Sequence, residues 1–284
     1  MTRDRLPPPA GPQPAREPSS QITRLLIEEH ARLQELAKTI EPSKWLEDSI
    51  LPGWKNFDIL AHLIGTERYL SGQANPPPSP VEDRTAFPNE IARINSRWIN
   101  SMSDLAPEEL VASFCETVEV RRRQLESLDA EDLRKVVWTP VGDAPLSRFL
   151  EIRVFDCYVH EQDLRLSVSM PGHQSGPIPE FSLKEVRAAL GYIVGKKAAF
   201  PTGTSVTFAL TGGVSTEFNV LVTERATVVD HLDSATCRIA IDSNLFLMLA
   251  CGRIRPDGAP ANAITITGNS ELANRLLANL AFTI

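Results

Sequence analysis

The spacing of apolar residues changes once along this chain, and that change restricts the folds open to it. From Gln21 to about Ser169, apolar side chains recur at three- and four-residue steps. Ile22, Leu25, Leu26, Leu33 and Leu36 form one such stripe, the mark of a helix with a single buried face. Phe57, Leu60, Ala61, Ile64 and Leu70 resume the period after a Pro52-Gly53 turn. Pro107 suits the first turn of a further helix through Leu110, Phe114, Val118 and Leu125. A last helix is predicted from about Leu146 to Val168. Beyond Pro179, one helix (Leu183 to Ala199) gives way to short β-rich runs. These are Ser205–Thr211, Phe218–Thr223, Thr227–His231 and Thr236–Ile241, with a Gly212-Gly213 hairpin signal between the first two. A helix at Asn244–Cys251, a strand at Ala263–Thr267 and a helix from Asn269 to Leu280 complete the pattern. The chain therefore reads as α+β, a four-helix bundle followed by a smaller mixed layer.

At 284 residues the chain exceeds the usual size of a single core, so two domains are expected. Residues 1–20 carry six prolines between Pro7 and Pro18 and no apolar period, which predicts a flexible tail. The bundle is assigned to residues 21–170 and the α+β domain to residues 180–284. The Pro- and Gly-rich stretch Met170–Pro179 joins them.

Charge and apolar content exclude several functions. The balance of 29 basic against 36 acidic residues, net −7, has the wrong sign for a nucleic-acid binder that works through phosphates. The longest apolar runs resemble Phe246 to Cys251, far short of a membrane span. Four scattered cysteines without a CxxC pair or a secretory signal point to a reduced, cytoplasmic setting.

Two histidines stand out. His62 lies within the apolar run Ile59 to Ile64, and His160 lies on the helix before Pro171. Asp156 precedes His160 by four residues, so both project from one helix face, about 5–6 Å apart at Cβ. A carboxylate and an imidazole at that spacing can chelate one metal, with His62 from a facing helix as a third ligand. The same spacing equally suits a simple hydrogen bond, and no HExxH-type motif is present to decide. His30, His173 and His231 read as surface residues, Cys157 as packing, Asp58 as a helix-start cap and Trp54 as packing for its turn.

The motifs around these residues resemble a known family. Pro52-Gly53-Trp54, Asp58 and Ala61-His62-Leu63, then Arg153-x-x-Asp156-x-x-x-His160-x-x-Asp163, are similar to the two signatures of the DinB-like, mycothiol-dependent maleylpyruvate isomerase family. Trp138-x-Pro140-x-Gly142 agrees with its loop. Asp242, Leu245 to Leu249, Gly252-Arg253 and Thr267-Gly268 resemble its sterol-carrier-like domain. The resemblance implies a metal-binding bundle followed by that smaller domain, with His62, Asp156 and His160 holding a divalent metal, zinc in most members. Aspartate here replaces the glutamate of the signature, an arm one methylene shorter. Asp163 and Arg153 then look like residues that support the ligands, or else exposed helix partners of them. Arg253 is implied to face the cleft between domains and assist catalysis.

The activity implied is that of an enzyme using a low-molecular-weight thiol, mycothiol, as nucleophile. Transfer of the thiol to a small electrophile is preferred over cis–trans isomerisation of the maleylpyruvate type. A hydrophobic-ligand carrier, with the run Leu245–Cys251 lining its cavity, is the reading from a different class. Partners are thus a small thiol and an electrophile, with neither nucleic acid nor membrane.

Overall fold

The computed structural model describes residues 20–79, 82–83, 85 and 87–283, so the proline-rich segment 1–19 lies outside the described residues. Helix α1 (Gln21–Thr39) begins where the Ser20 hydroxyl accepts from Thr23 N at 3.3 Å, and it buries Leu25, Leu26, Leu33 and Leu36 as the stripe requires. In α2 (Asn56–Leu70), Asp58 closes the first turn by accepting from Lys55 N at 2.8 Å. That is the capping role read from its position. Helix α2 is buried almost all round, from Phe57 through Ile64, and forms the middle of the bundle.

Helix α3 (Glu90–Ser101) crosses α2 so closely that a Cβ on Gly65 would sit 2.5 Å from the Trp98 Cβ. Gly65→Ala is therefore expected to destabilise the fold. Overpacking of about 1–3 kcal/mol exceeds the roughly 1 kcal/mol that alanine gains in helix propensity. A drop in the thermal midpoint is the readout.

Helices α4 (Pro107–Ser127) and α5 (Leu146–Ser167) complete the bundle. Between them lies a feature the periodicity did not show. Strands β1 (Val136–Thr139) and β2 (Gly142–Pro145) pair as a hairpin around the Trp138-x-Pro140-x-Gly142 segment. Four-residue strands with Val136 and Trp138 largely exposed leave almost no alternating burial to read.

Helix α6 (Pro177–Tyr192) starts six residues earlier than its apolar pattern suggested and ends in a π turn, Ile193–Lys197. Gly176, at φ +103°, supplies the left-handed residue before it, and Pro177 fits the first helical turn. Helix α6 packs against α5 on one side and the sheet on the other.

That sheet has the order β5-β4-β3-β6-β7. The strands are β3 (Ser205–Thr211), β4 (Thr216–Val222), β5 (Ala226–Val229), β6 (Cys237–Asp242) and β7 (Ile264–Gly268). β3 and β6 run parallel, and the other neighbours are antiparallel. Helices α7 (Ser243–Ala250) and α8 (Ser270–Ala278) cover it, each started by a side-chain cap, Asp242 and Asn269. The apolar run in α7 packs as core: Phe246 lies 5.0 Å from Phe208 and 6.2 Å from Phe218 between ring centroids. One buried core continues through both halves, and no helix among the described residues is long and apolar enough to cross a membrane.

Candidate metal centre

Two helices bring the predicted ligands together. His62 comes from α2, and Asp156 and His160 project one turn apart from α5. His62 Nε2 lies 3.5 Å from Asp156 Oδ2, His160 Nε2 lies 3.7 Å from Asp156 Oδ1, and the imidazole centroids are 4.9 Å apart. Zinc ligated at 2.0–2.2 Å in a tetrahedron separates its ligand atoms by about 3.3–3.6 Å. The spacing and the donor set, two imidazoles and a carboxylate, therefore fit such an ion, and the aspartate reaches far enough. Both imidazoles are buried, while the Asp156 side chain keeps 32% of its surface and marks the open side.

The electrostatics suit ligation. Burial lowers the His62 pKa, partly offset by Asp156, so its ring is neutral at neutral pH with a lone pair to give. Desolvation opposes the charge on Asp156, but Arg153, His160 and His62 outweigh it and hold the carboxyl far below the usual range. His160 Nδ1 faces Asp163 Oδ2 at 2.9 Å; donation there fixes the tautomer that leaves Nε2 free toward Asp156.

The residues behind the ligands form two buried chains of charge. In the first, Arg153 donates to Asp156 Oδ2 and also to Glu67 Oε1, at 2.9 Å from Nε and 2.8 Å from Nη2. Glu67, fully buried on α2, accepts from Arg121 Nε at 2.8 Å as well. Burial would raise the Glu67 pKa, but Arg153, His30 and Arg121 together hold it well below the carboxylate norm.

In the second chain, Asp163 takes a two-pronged contact from Arg253, Nε to Oδ1 at 3.0 Å and Nη2 to Oδ2 at 3.1 Å. Arg253 Nη1 donates to the Cys251 carbonyl at 2.8 Å. Gly252, at φ +71° just past the end of α7, turns the chain so that Arg253 can reach back to the bundle. Arg253 is thus engaged through all three nitrogens, and its link to the candidate centre runs through Asp163.

Sequence reasoning missed Glu67 and Arg121, and it misplaced His30 and His173. The available signal was that Arg153 and Arg121 fall at buried helix positions and must meet a carboxylate. Trp54, assigned to its turn, also covers the imidazoles. Its ring stacks on His160 at 6.3 Å and meets His62 edge-on at 5.6 Å. His30 and His173 are not surface residues. His30 is buried 3.5 Å from Glu67, because in the run Glu28-Glu29-His30 only Glu28 faces out. His173 tucks against Glu161, at 2.6 Å from Nδ1 to Oε2. His231 is exposed, as its strand-end position suggested. Cys157 is buried, accepts from Arg153 Nη2 at 3.3 Å, and has its thiol pKa pushed well up by burial.

Residues 26–165, which include all three candidate ligands and Asp163, match the model of the mycothiol maleylpyruvate isomerase N-terminal domain. The chain belongs to that family through its helical half. Among solved structures, it is similar over both halves to the mycothiol-dependent maleylpyruvate isomerase. The TM-score is 0.55 and the identity 16%, covering 87% of this chain and 92% of that one. A histidine-to-alanine mutant of the isomerase aligns with the same score and coverage at 17% identity. No curated protein matches the sequence significantly. At such identities the likeness to the isomerase structures is one of fold, and it extends past the matched domain into the sheet half.

Proposed function

We propose that this chain is a metal-dependent enzyme that uses mycothiol, or a thiol like it, as its nucleophile. The observation that carries the reading is the meeting of His62, Asp156 and His160 from facing helices, with donor atoms 3.5 and 3.7 Å apart and an open side at Asp156. Three protein donors with access on one side are the arrangement of a catalytic rather than a structural metal site. A dication held there supplies one thing, deprotonation of a thiol that near pKa 8.5 is only about 3% thiolate at pH 7.

The chain's own thiols do not serve. Cys157 and Cys251 are buried, burial lifting Cys251 to about 12, and Cys237 on β6 is raised to about 11. None of the four cysteines, Cys115 on α4 included, is grouped with His62, Asp156 and His160, so the nucleophile comes from outside.

The protein's part is to place and orient. His62 presents a neutral lone pair, His160 turns Nε2 toward Asp156, Asp156 brings negative charge, and Trp54 closes one flank against water. Asp163 holds His160 in one tautomer, and Arg253 holds Asp163 from the sheet half, so the support behind His160 is complete only when the two halves are docked. Transfer of the thiol to a small electrophile is the preferred reaction. Its close alternative is addition to an activated double bond, rotation about the new single bond, and elimination to the trans isomer. The family match favours keeping this second reading. No observation favours a lipid carrier, since Leu245–Cys251 is packed as core.

Zinc-loaded protein with added mycothiol is expected to form adducts with electrophiles or to turn over maleylpyruvate; failure of both overturns the assignment. Arg253→Lys keeps the charge but loses the two-pronged grip on Asp163. Because Asp163 itself remains on His160, it is expected to weaken zinc affinity by less than the roughly 10–100-fold that losing a ligand's direct partner costs. Zinc affinity left intact with turnover lost would instead place Arg253 against the substrate.

A further inference from the structure

A second group of donors lies on another face of α5, where Glu161 points about 100° away from its neighbour His160. Glu29 on α1, Glu161 on α5 and His173 in the segment joining α5 to α6 each offer an atom within 4.8 Å of the others. His173 Nδ1 is 2.6 Å from Glu161 Oε2 and 3.8 Å from Glu29 Oε2. Both glutamates are fully buried, and the His173 side chain is 5% exposed. Arg165 bonds the remaining Glu161 oxygen at 2.8 Å. Glu29 has no such help: both of its oxygens are buried without a hydrogen-bond partner of good geometry. A carboxyl group in that position costs several kcal/mol unless something pairs with it, and buried carboxylates that persist are paired or bind metal.

We propose that Glu29, Glu161 and His173 form a second dication site, for a borderline metal such as zinc, that fastens the connecting segment to α1 and α5. One imidazole and two carboxylates are a zinc donor set. Seating the ion opens the His173–Glu161 contact by about 0.7 Å, to the separation that ligation at 2.0–2.2 Å demands.

The segment is already gripped at this point. Tyr158 Oη donates to the His173 carbonyl at 3.0 Å, and Gln162 Nε2 donates to the Gly172 carbonyl at 3.2 Å. His173 itself is held at φ +51°, a conformation a non-glycine residue keeps only when its surroundings impose it. The next residue meets the sheet half, where a Cβ on Gly213 would lie 1.9 Å from the Gln174 carbonyl oxygen. The ion would thus lock the joint across which Arg253 reaches Asp163.

The proposal is independent of the reading of His62, Asp156 and His160, and zinc content separates the two. Full-length protein is stripped with a chelator, reloaded with zinc, freed of excess metal and assayed for zinc per chain. Wild type is expected to hold about two equivalents, His62→Ala with His160→Ala about one, and that variant with Glu29→Gln and His173→Ala added about none. One equivalent in wild type that Glu29→Gln and His173→Ala remove supports this site and sinks the first. No zinc in the folded His62→Ala/His160→Ala protein, or zinc that survives all four changes, overturns the proposal. Should that variant fail to fold, anomalous scattering from zinc-soaked wild-type crystals decides. A peak among Glu29, Glu161 and His173 supports the site, and its absence there overturns it.

Discussion

Replacing His160 with alanine is expected to lower zinc affinity at the centre by more than about 100-fold and to remove thiol-dependent turnover with it. The reason is the order in which the site is built. His160 supplies one donor, lies 3.7 Å from Asp156 Oδ1, and among the described residues joins the centre to the Asp163–Arg253 pair. His62→Ala removes a donor without touching that pair, so it is expected to abolish turnover while leaving the docking of the halves intact. Zinc titration and mycothiol-dependent turnover, measured side by side on both variants, check this. Full zinc affinity in either variant would show that the imidazoles do not ligate.

Glu67→Ala is expected to be the most destabilising single change, by about 3–5 kcal/mol, because it strands two buried guanidinium groups, Arg153 and Arg121. For a chain of this size that corresponds to a fall of roughly 10 °C in thermal midpoint. The sign with pH follows from the direction of the shift. The folded-state pKa of Glu67 lies well below its ordinary 4.5. Its contribution is therefore complete above about 4.5 and is lost as pH falls through the folded value. The gap between wild type and Glu67→Ala in urea unfolding should stay constant from pH 7 to 5 and narrow in stronger acid. Glu67→Gln, which keeps the shape and one acceptor, should lose less. Since Arg153 also holds Asp156, either change should weaken zinc binding even where the protein remains folded. A variant as stable as wild type would mean the arginines find other partners.

Much of the fold followed from the period of burial. Helix α1 and strand β3 sit where their patterns put them, because a one-sided stripe and a short apolar run each have one good way to bury. The β1–β2 hairpin escaped because Trp138 and Val136 bury little, and α6 began early because a glycine–proline start leaves no apolar mark. The spacing of Asp156 and His160 was likewise sufficient, since four residues on a helix face the same way whatever surrounds them.

Periodicity says which side of a helix faces inward; it does not say what it will meet there. His62 approaching Asp156 depends on how α2 packs on α5, and Glu67 joining Arg121 to Arg153 depends on α4 arriving beside both. The inward turn of His30 and His173, which their polar neighbours in sequence argued against, was decided by buried carboxylates contributed from other elements. Arg253 reaches Asp163 across ninety residues of chain. Side chains at such distances choose one another only after the helices and sheet have docked. Local sequence therefore set the elements and the spacing of the candidate ligands within one helix, while tertiary packing alone set the third candidate, the charges behind it and the second cluster.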